Sequence, residues 1–339
     1  MRIKNFTHPF ASLIVISLFA CSTGNVDGAP TQASVARTGS IVYVDVAKIN
    51  GRLERAVHVL NLATRKVNLF QTDDFIKGGA SVSKNGLIAQ GFDRGRDQEI
   101  IKINKLDGTF VKQFVFGEPF SSATSGARIS PDGTLVAFSL RVILGGGKSE
   151  ERVYFCGTAA DNRCFYYANL GDPEWMPNGR LIAVNVFPDG TRGGLYATDN
   201  APRVGDTVPT DVNRVGSADL INATAPAVTP DGKKIIVGLG VRQNIYAVDV
   251  VTGAVQQLTK DGLEQYTPLV SGDGKVLFYV QQCCPVSPTA PASGSVLHAV
   301  ALNVNAVTST PSNVNYISNT SGTPIDASVR YGYTPMMLP

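Results

Sequence analysis

The sequence predicts an all-β chain folded as a six-bladed β-propeller, with four-stranded antiparallel blades and a ring closed by the C-terminal strand. Three observations predict it. The stretch SPDGTLVAFSL at 130–140 recurs as MPNGRLIAVNV from 176, TPDGKKIIVGL from 229, SGDGKVLFYV from 271 and, more weakly, SKNGLIAQGF from 83. The spacing of these turns, 42–53 residues, suits units of four strands, the period of propeller blades. The C-terminal YGYTPMMLP has the look of the strand that precedes each turn elsewhere, yet it stops where the turn would begin.

Each turn has a physical logic. In SPDG, Pro131 presets φ for the first central position of a type I turn and Asp132 suits the second. Gly133 then takes the left-handed conformation that reverses the chain into a hairpin. The strand after each turn is almost continuously apolar, as in Leu135-Val136-Ala137-Phe138 and Val276-Leu277-Phe278-Tyr279, so it is covered on both faces. A third strand follows: AVHVLNL at 56, EIIKINK at 99, RVYFCGT at 152, GLYATDN at 194, NIYAVDV at 244 and VLHAVAL at 296. With a further turn and strand, as in KINKLDGTFVKQF, each unit has strands a, b, c and d from the ring's centre outward. Five units carry the complete a–b turn. The first begins at its b strand, SIVYVDV from Ser40, and takes its a strand from the chain end. A blade buries neither face until its neighbours arrive, which is why one chain repeats the same turn and strand.

Ahead of the repeats, Arg2 and Lys4 precede an apolar stretch, Phe10 to Ala20. It is about half the roughly 20 residues a spanning helix needs, so 1–20 reads as a signal peptide. Leu18-Phe19-Ala20-Cys21 resembles the lipobox of bacterial lipoproteins, and that resemblance implies a lipid-modified Cys21. Phe19 is bulkier than the small residue usual at its position, and ordinary secretory cleavage a few residues later is the alternative. Ser22 after the cysteine implies outer-membrane sorting by the enterobacterial rule. Residues 21–38 are small and polar, a flexible tether, and 39–339 form the propeller.

The net charge is +3, and falls to about +1 (3 − 2) once Arg2 and Lys4 leave with the signal. Nucleic-acid binding, which needs clustered basic charge, is not expected. Of five cysteines, four remain after Cys21, an even number that suits disulfides in an oxidising envelope. Cys156 and Cys164 flank a short polar loop between two strands and are expected to pair. Cys283 and Cys284 are adjacent, and either a strained vicinal bridge or two free thiols is expected there. Pairing between the two groups fails on distance if they occupy opposite blades. Zinc is excluded by the absence of any CxxC pair and the scarcity of histidine.

Catalytic signatures are missing. There is no G-x-S-x-G elbow, H-E-x-x-H, P-loop or EF-hand loop. Gly145-Gly146-Gly147-Lys148 mimics a phosphate cradle but joins two strands, so a hairpin loop is expected. His58 and His298 share the c-strand column that holds Tyr154, Tyr196 and Tyr246, which reads as ring packing rather than a metal or acid–base pair. The repeated Asp-Gly pairs serve turns. No catalytic, cofactor or metal residue is expected. Recognition is expected on the b–c loops, which vary in length while the a–b turns stay tight.

The xPDGxxIAF turn and strand followed by IYxxD resembles the repeat of TolB-like β-propellers over essentially the whole chain after the tether. The family's best-known member works as an assembly partner of envelope proteins. The resemblance therefore implies an envelope-anchored, non-catalytic scaffold that binds a protein or cell-wall-associated partner, as a monomer touching the membrane only through its lipid. The alternative is a carbohydrate- or small-molecule-binding propeller with lyase or hydrolase activity. Converging carboxylates in a deep central channel would favour the alternative, and a shallow face with exposed aromatics the scaffold.

Overall fold

The computed structural model describes residues 40–49, 52–61, 67–72, 76–93, 99–117, 120–123, 126–159, 164–203, 211–216, 220–240, 244–259, 265–282, 295–302, 304 and 336–338. All belong to one compact unit, Ala33–Pro339. Every helix or strand among them is a strand, and every pairing is antiparallel.

The first blade runs from centre to rim as Met336–Leu338, Ser40–Ile49, Arg52–Asn61 and Val67–Thr72. The second is Ile76–Val82, Leu87–Asp93, Glu99–Lys105 and Phe110–Phe116. In the third the inner position is split. Phe120–Ala123 and Arg128–Ile129 both pair with Leu135–Gly145, which is followed by Lys148–Gly157 and Cys164–Ala168. The fourth is Leu170–Trp175, Leu181–Val186, Arg192–Thr198 and Val212–Val215, and the fifth Thr224–Val228, Lys234–Leu239, Asn244–Asp249 and Val255–Gln257. A last sheet has three strands, Gln265–Val270, Val276–Gln282 and Ser295–Ala301.

Five complete blades therefore stand where six four-stranded ones were expected. The expected fourth strand of the last sheet would fall in 303–330, largely outside the described residues.

All five a–b turns form as the sequence predicts. Gly86, Gly133, Gly179, Gly232 and Gly274 have φ of 77, 73, 82, 70 and 71°, the left-handed region that only glycine enters without strain. Each donates its N–H to the residue three before it, from Gly86 to Ser83 through Gly274 to Ser271.

The core lies between sheets rather than inside them. Phe138, Tyr154 and Val136 pack against Ile101, Ile103 and Phe114 of the second blade, whereas Phe155 and Ala137 pack against Trp175, Leu181 and Ala183 of the fourth. Alternate residues of one strand thus serve two different interfaces. Similar clusters fill the gaps between the first and second, fourth and fifth, and fifth and last sheets. Truncating a fully buried ring such as Phe138 would cost about 3–5 kcal/mol.

The chain end pairs with the chain start, Ser40 opposite Leu338, Ile41 opposite Met337 and Val42 opposite Met336. Met336–Leu338 also touches the inner strands on both sides, Ile76–Val82 and Gln265–Val270.

Candidate binding face

The two faces of the propeller differ in how far their polar groups are already used. On the face of the a–b turns, Asp132 accepts hydrogen bonds from Ser130 Oγ (2.6 Å) and the Thr134 N–H (3.0 Å). Asp231 does the same with Thr229 and Lys233, and Asp273 with Ser271 and Lys275. The Thr229 and Ser271 hydroxyls hold Asp231 and Asp273 below the usual carboxylate range. At Asp132 partial burial opposes ionisation, but bonds from Ser130 and Thr134 outweigh it and the net direction is downward. These acids fix turns and do not converge; among the described residues no group of histidine, cysteine or acidic side chains could hold a metal.

The opposite face carries the b–c hairpins, where polar groups such as Asp189, which accepts the Thr191 N–H (2.8 Å), stand beside exposed apolar side chains. The hairpin of the third blade is long, with strands of 11 and 10 residues, close to the 10 and 10 of the first blade and well beyond the six to seven of the second, fourth and fifth. Ile143 and Leu144 near its tip are exposed, as are Phe187 in the fourth blade's b–c turn (49%) and Ile221 in the connector to the fifth blade (60%). Contacts make these neighbours. Gly190, in the turn after Phe187, lies against the Arg141 guanidinium of the third blade's hairpin. The 221–223 connector runs beside the fourth blade, with Asn222 N–H bonded to Arg192 O (3.0 Å) and Ala223 N–H to Gly193 O (3.2 Å). Gly240 N–H, from the fifth blade's b–c end, bonds Ile221 O. On the other face the large exposed apolar side chains Leu106 and Val251 sit in separate turns.

Between the faces lie two acid–base pairs that sequence reasoning missed, each with its carboxylate on the inner strand of the fourth blade. Arg128 in the third blade and Glu174 in the fourth meet at 3.0 Å with little exposure. Burial pushes the Glu174 carboxyl up, against the pull of the Arg128 guanidinium. Glu174 also accepts the Trp175 N–H (2.9 Å), and Trp175 Nε1 donates to Arg128 O (2.9 Å). Closer to the b–c face, Asp172 pairs with Arg192 and accepts the Ala225 N–H of the fifth blade. The Asp172 charge holds Arg192 above its ordinary range despite burial, helped by Glu151, whose carboxylate lies against Gly171.

The inner strands are bulged at matching places. The register slips between Gly171 and Glu174, Thr224 and Ala227, and Tyr266 and Leu269. Asp172, Ala225 and Thr267, each followed by proline, have φ of 46, 44 and 47°. A threonine there is strained, because a β-branched side chain crowds a left-handed backbone. The sequence signal was present in Asp172-Pro173-Glu174-Trp175, with acids two apart on an inner strand, but their basic partners lie 20 and 46 residues away.

Cys156 and Cys164 are disulfide-bonded, directly opposite in register, with α-carbons 4.3 Å apart. Cys21, Cys283 and Cys284 lie outside the described residues. Gly145, Gly146 and Gly147 all have positive φ and form a hairpin tip, not a cradle before a helix. The column is kept in the backbone register: His58 lies opposite Tyr43, Tyr154 opposite Phe138, Tyr196 opposite Ala183, Tyr246 opposite Val237 and His298 opposite Tyr279. Burial lowers the His58 pKa. Of the loops expected to carry recognition, 94–98 and 283–294 lie outside the described residues.

No protein-family model and no curated protein matches the sequence. Among solved structures, TolB from Acinetobacter baumannii is similar at 15% identity and a TM-score of 0.57, over 89% of this chain and 67% of that one. A candidate TolB of Agrobacterium tumefaciens is similar at 15% identity and a TM-score of 0.54, over 79% and 87%. A chain of a nidogen/laminin complex is similar at 12% identity and a TM-score of 0.57, over 88% and 98%. At such identities the likeness is one of fold: a TolB-like β-propeller.

Proposed function

We propose that this chain is an envelope-anchored, non-catalytic propeller that docks a protein partner on the face bearing the b–c hairpins. The observation that carries the proposal is the run of exposed apolar side chains Ile143, Leu144, Phe187 and Ile221 across neighbouring elements of that face. Apolar side chains gathered on one face are costly in a free protein and mark interaction sites. Large, rigid rings such as Phe187 are the anchors such interfaces use.

The inner-strand chemistry supports a scaffold over an enzyme. Asp172 and Glu174, the carboxylates identified on the inner strands, each face an arginine, and so neither is poised as a free acid or base. The lipobox-like Leu18-Phe19-Ala20-Cys21 supports the anchor. The same reading takes the three-stranded sheet as a sixth blade, its outer strand supplied by 303–330, so that six blades close through Met336–Leu338. Contacts of that strand with the inner strands on either side support the count.

Site-specific photo-crosslinking in intact cells tests the docking face. A crosslinker at Phe187 should yield a discrete adduct that disappears with Leu144→Glu. The same group at Val251, on the opposite face, should yield none. Equal adducts from both positions, or none from Phe187, would overturn the assignment.

A further inference from the structure

The outer strand of the second blade, Phe110–Phe116, reads FVKQFVF and pairs on one edge with Glu99–Lys105. Its other edge pairs with no strand among the described residues. At seven residues it is longer than the described outer strands of the first, third, fourth and fifth blades, which have 6, 5, 4 and 3. Exposed edges of this kind are usually guarded by proline, by a projecting lysine or by shortness. This strand has no proline and a single charge, Lys112. That charge is diverted: Lys112 Nζ donates to the Gly157 O (3.0 Å) and Ala159 O of the third blade, and lies 4.8 Å from the centre of the Phe114 ring. Phe110 and Val115 meanwhile stand 58% and 50% exposed.

We propose that this edge joins a second copy of the chain by antiparallel strand addition, which makes one sheet continuous across two propellers. The occupant follows from the near-palindrome. Setting Gln113 against Gln113 of the second copy places Val111 opposite Val115, Phe110 opposite Phe116 and Lys112 opposite Phe114. Apolar groups then meet apolar groups, each lysine meets a ring rather than a like charge, and every pair occurs twice about the two-fold axis. An arbitrary partner strand would have no reason to match this pattern. The register irregularity at Val111 lies two residues from the axis and recurs opposite Val115 by the two-fold, so Lys112–Phe114 form the regular centre of the contact. One strand pair is a small interface, so association is concentration-dependent. This departs from the monomer expected on sequence.

The experiment uses the full chain carrying Cys21→Ser, so that no acyl group can drive association, in analytical ultracentrifugation over a range of concentrations. A monomer–dimer equilibrium is expected, with the dimer lost in Val111→Lys/Val115→Lys, which sets lysine against lysine, and the melting temperature unchanged at concentrations where the wild type is monomeric. Gln113→Cys should oxidise to a dimer linked through position 113, whereas Val251→Cys, on a distant turn, should not. A wild type that stays monomeric at every concentration, a dimer indifferent to the paired lysines, or equal linkage from position 251 would each overturn the proposal. Should the lysine variant misfold, the two cysteine variants decide alone.

Discussion

The carboxylate of Asp172 accepts a hydrogen bond from the Ala225 N–H at 3.1 Å, which joins the inner strands of the fourth and fifth blades at the two places where their backbones enter the left-handed region. The same oxygen pairs with Arg192. One side chain therefore holds a strained bulge, a neighbouring blade and a largely buried cation.

Replacing Asp172 with alanine takes from Arg192 its paired carboxylate, leaving only the weaker pull of Glu151, and leaves the Ala225 N–H without its acceptor. Breaking a fully buried pair costs about 3–5 kcal/mol, and the residual exposure of both side chains reduces this to about 2–3 kcal/mol. Urea unfolding should show that loss at an unchanged m-value. Asp172→Ala/Arg192→Met should recover part of it, since it leaves no orphaned charge.

The turn aspartates predict an acid-sensitive slope. Asp132, Asp231 and Asp273 have pKa values below the ordinary 3.8 in the folded chain. The stability they contribute is present above that value and is lost as pH falls through their folded values. Asn85 and Asn178 occupy the equivalent place in the second and fourth blades, so asparagine is compatible with the turn. Asp132→Asn/Asp231→Asn/Asp273→Asn should flatten the dependence of melting temperature on pH below about 4. An unchanged slope would place the acid sensitivity elsewhere.

Removing Tyr331–Pro339 strips Ser40–Val42 of its inner partner and opens the contacts to Ile76–Val82 and Gln265–Val270. Calorimetry should show a broadened transition at lower temperature, or insolubility, well beyond the effect of trimming an uninvolved tail. A parent-like melt would mean that the first blade is held some other way.

Cys164→Ala should cost about 2–3 kcal/mol, because the bridge closes a short loop and Cys156 is fully buried against Val136, Phe138 and Tyr154. Reduction of the wild type should cost a similar amount and that of the variant nothing further. Non-reducing peptide maps should carry both cysteines in one fragment and none bridging to Cys283 or Cys284.

Much of the fold was legible because its determinants are local. The turn Ser130-Pro131-Asp132-Gly133 satisfies its own hydrogen bonds within six residues, and the apolar run after it declares double-sided burial. The pairing of Cys156 with Cys164 was legible for the same reason. The first blade's composite origin could be read because Tyr331 onward repeats a pattern seen in other inner strands. The ion pairs could not be read: Arg128 and Glu174 meet only because two blades pack side by side, and no spacing along the chain encodes that neighbourhood. The apolar crest also escaped notice. Ile143, Phe187 and Ile221 read as ordinary strand or connector residues until the hairpin lengths fix which stand clear of the sheet.

The pairing of Ser40 with Leu338 has a consequence in time. Synthesis runs from the N-terminus, so each b–c hairpin can form as soon as its own few dozen residues exist. The first blade alone must wait for a partner 298 residues away (338 − 40). Until Met336–Leu338 emerges, the inner edge of Ser40–Val42 stays unsatisfied. Among the described pairings this seam therefore carries the greatest loop-closure cost, and it is the place from which the blades would begin to part.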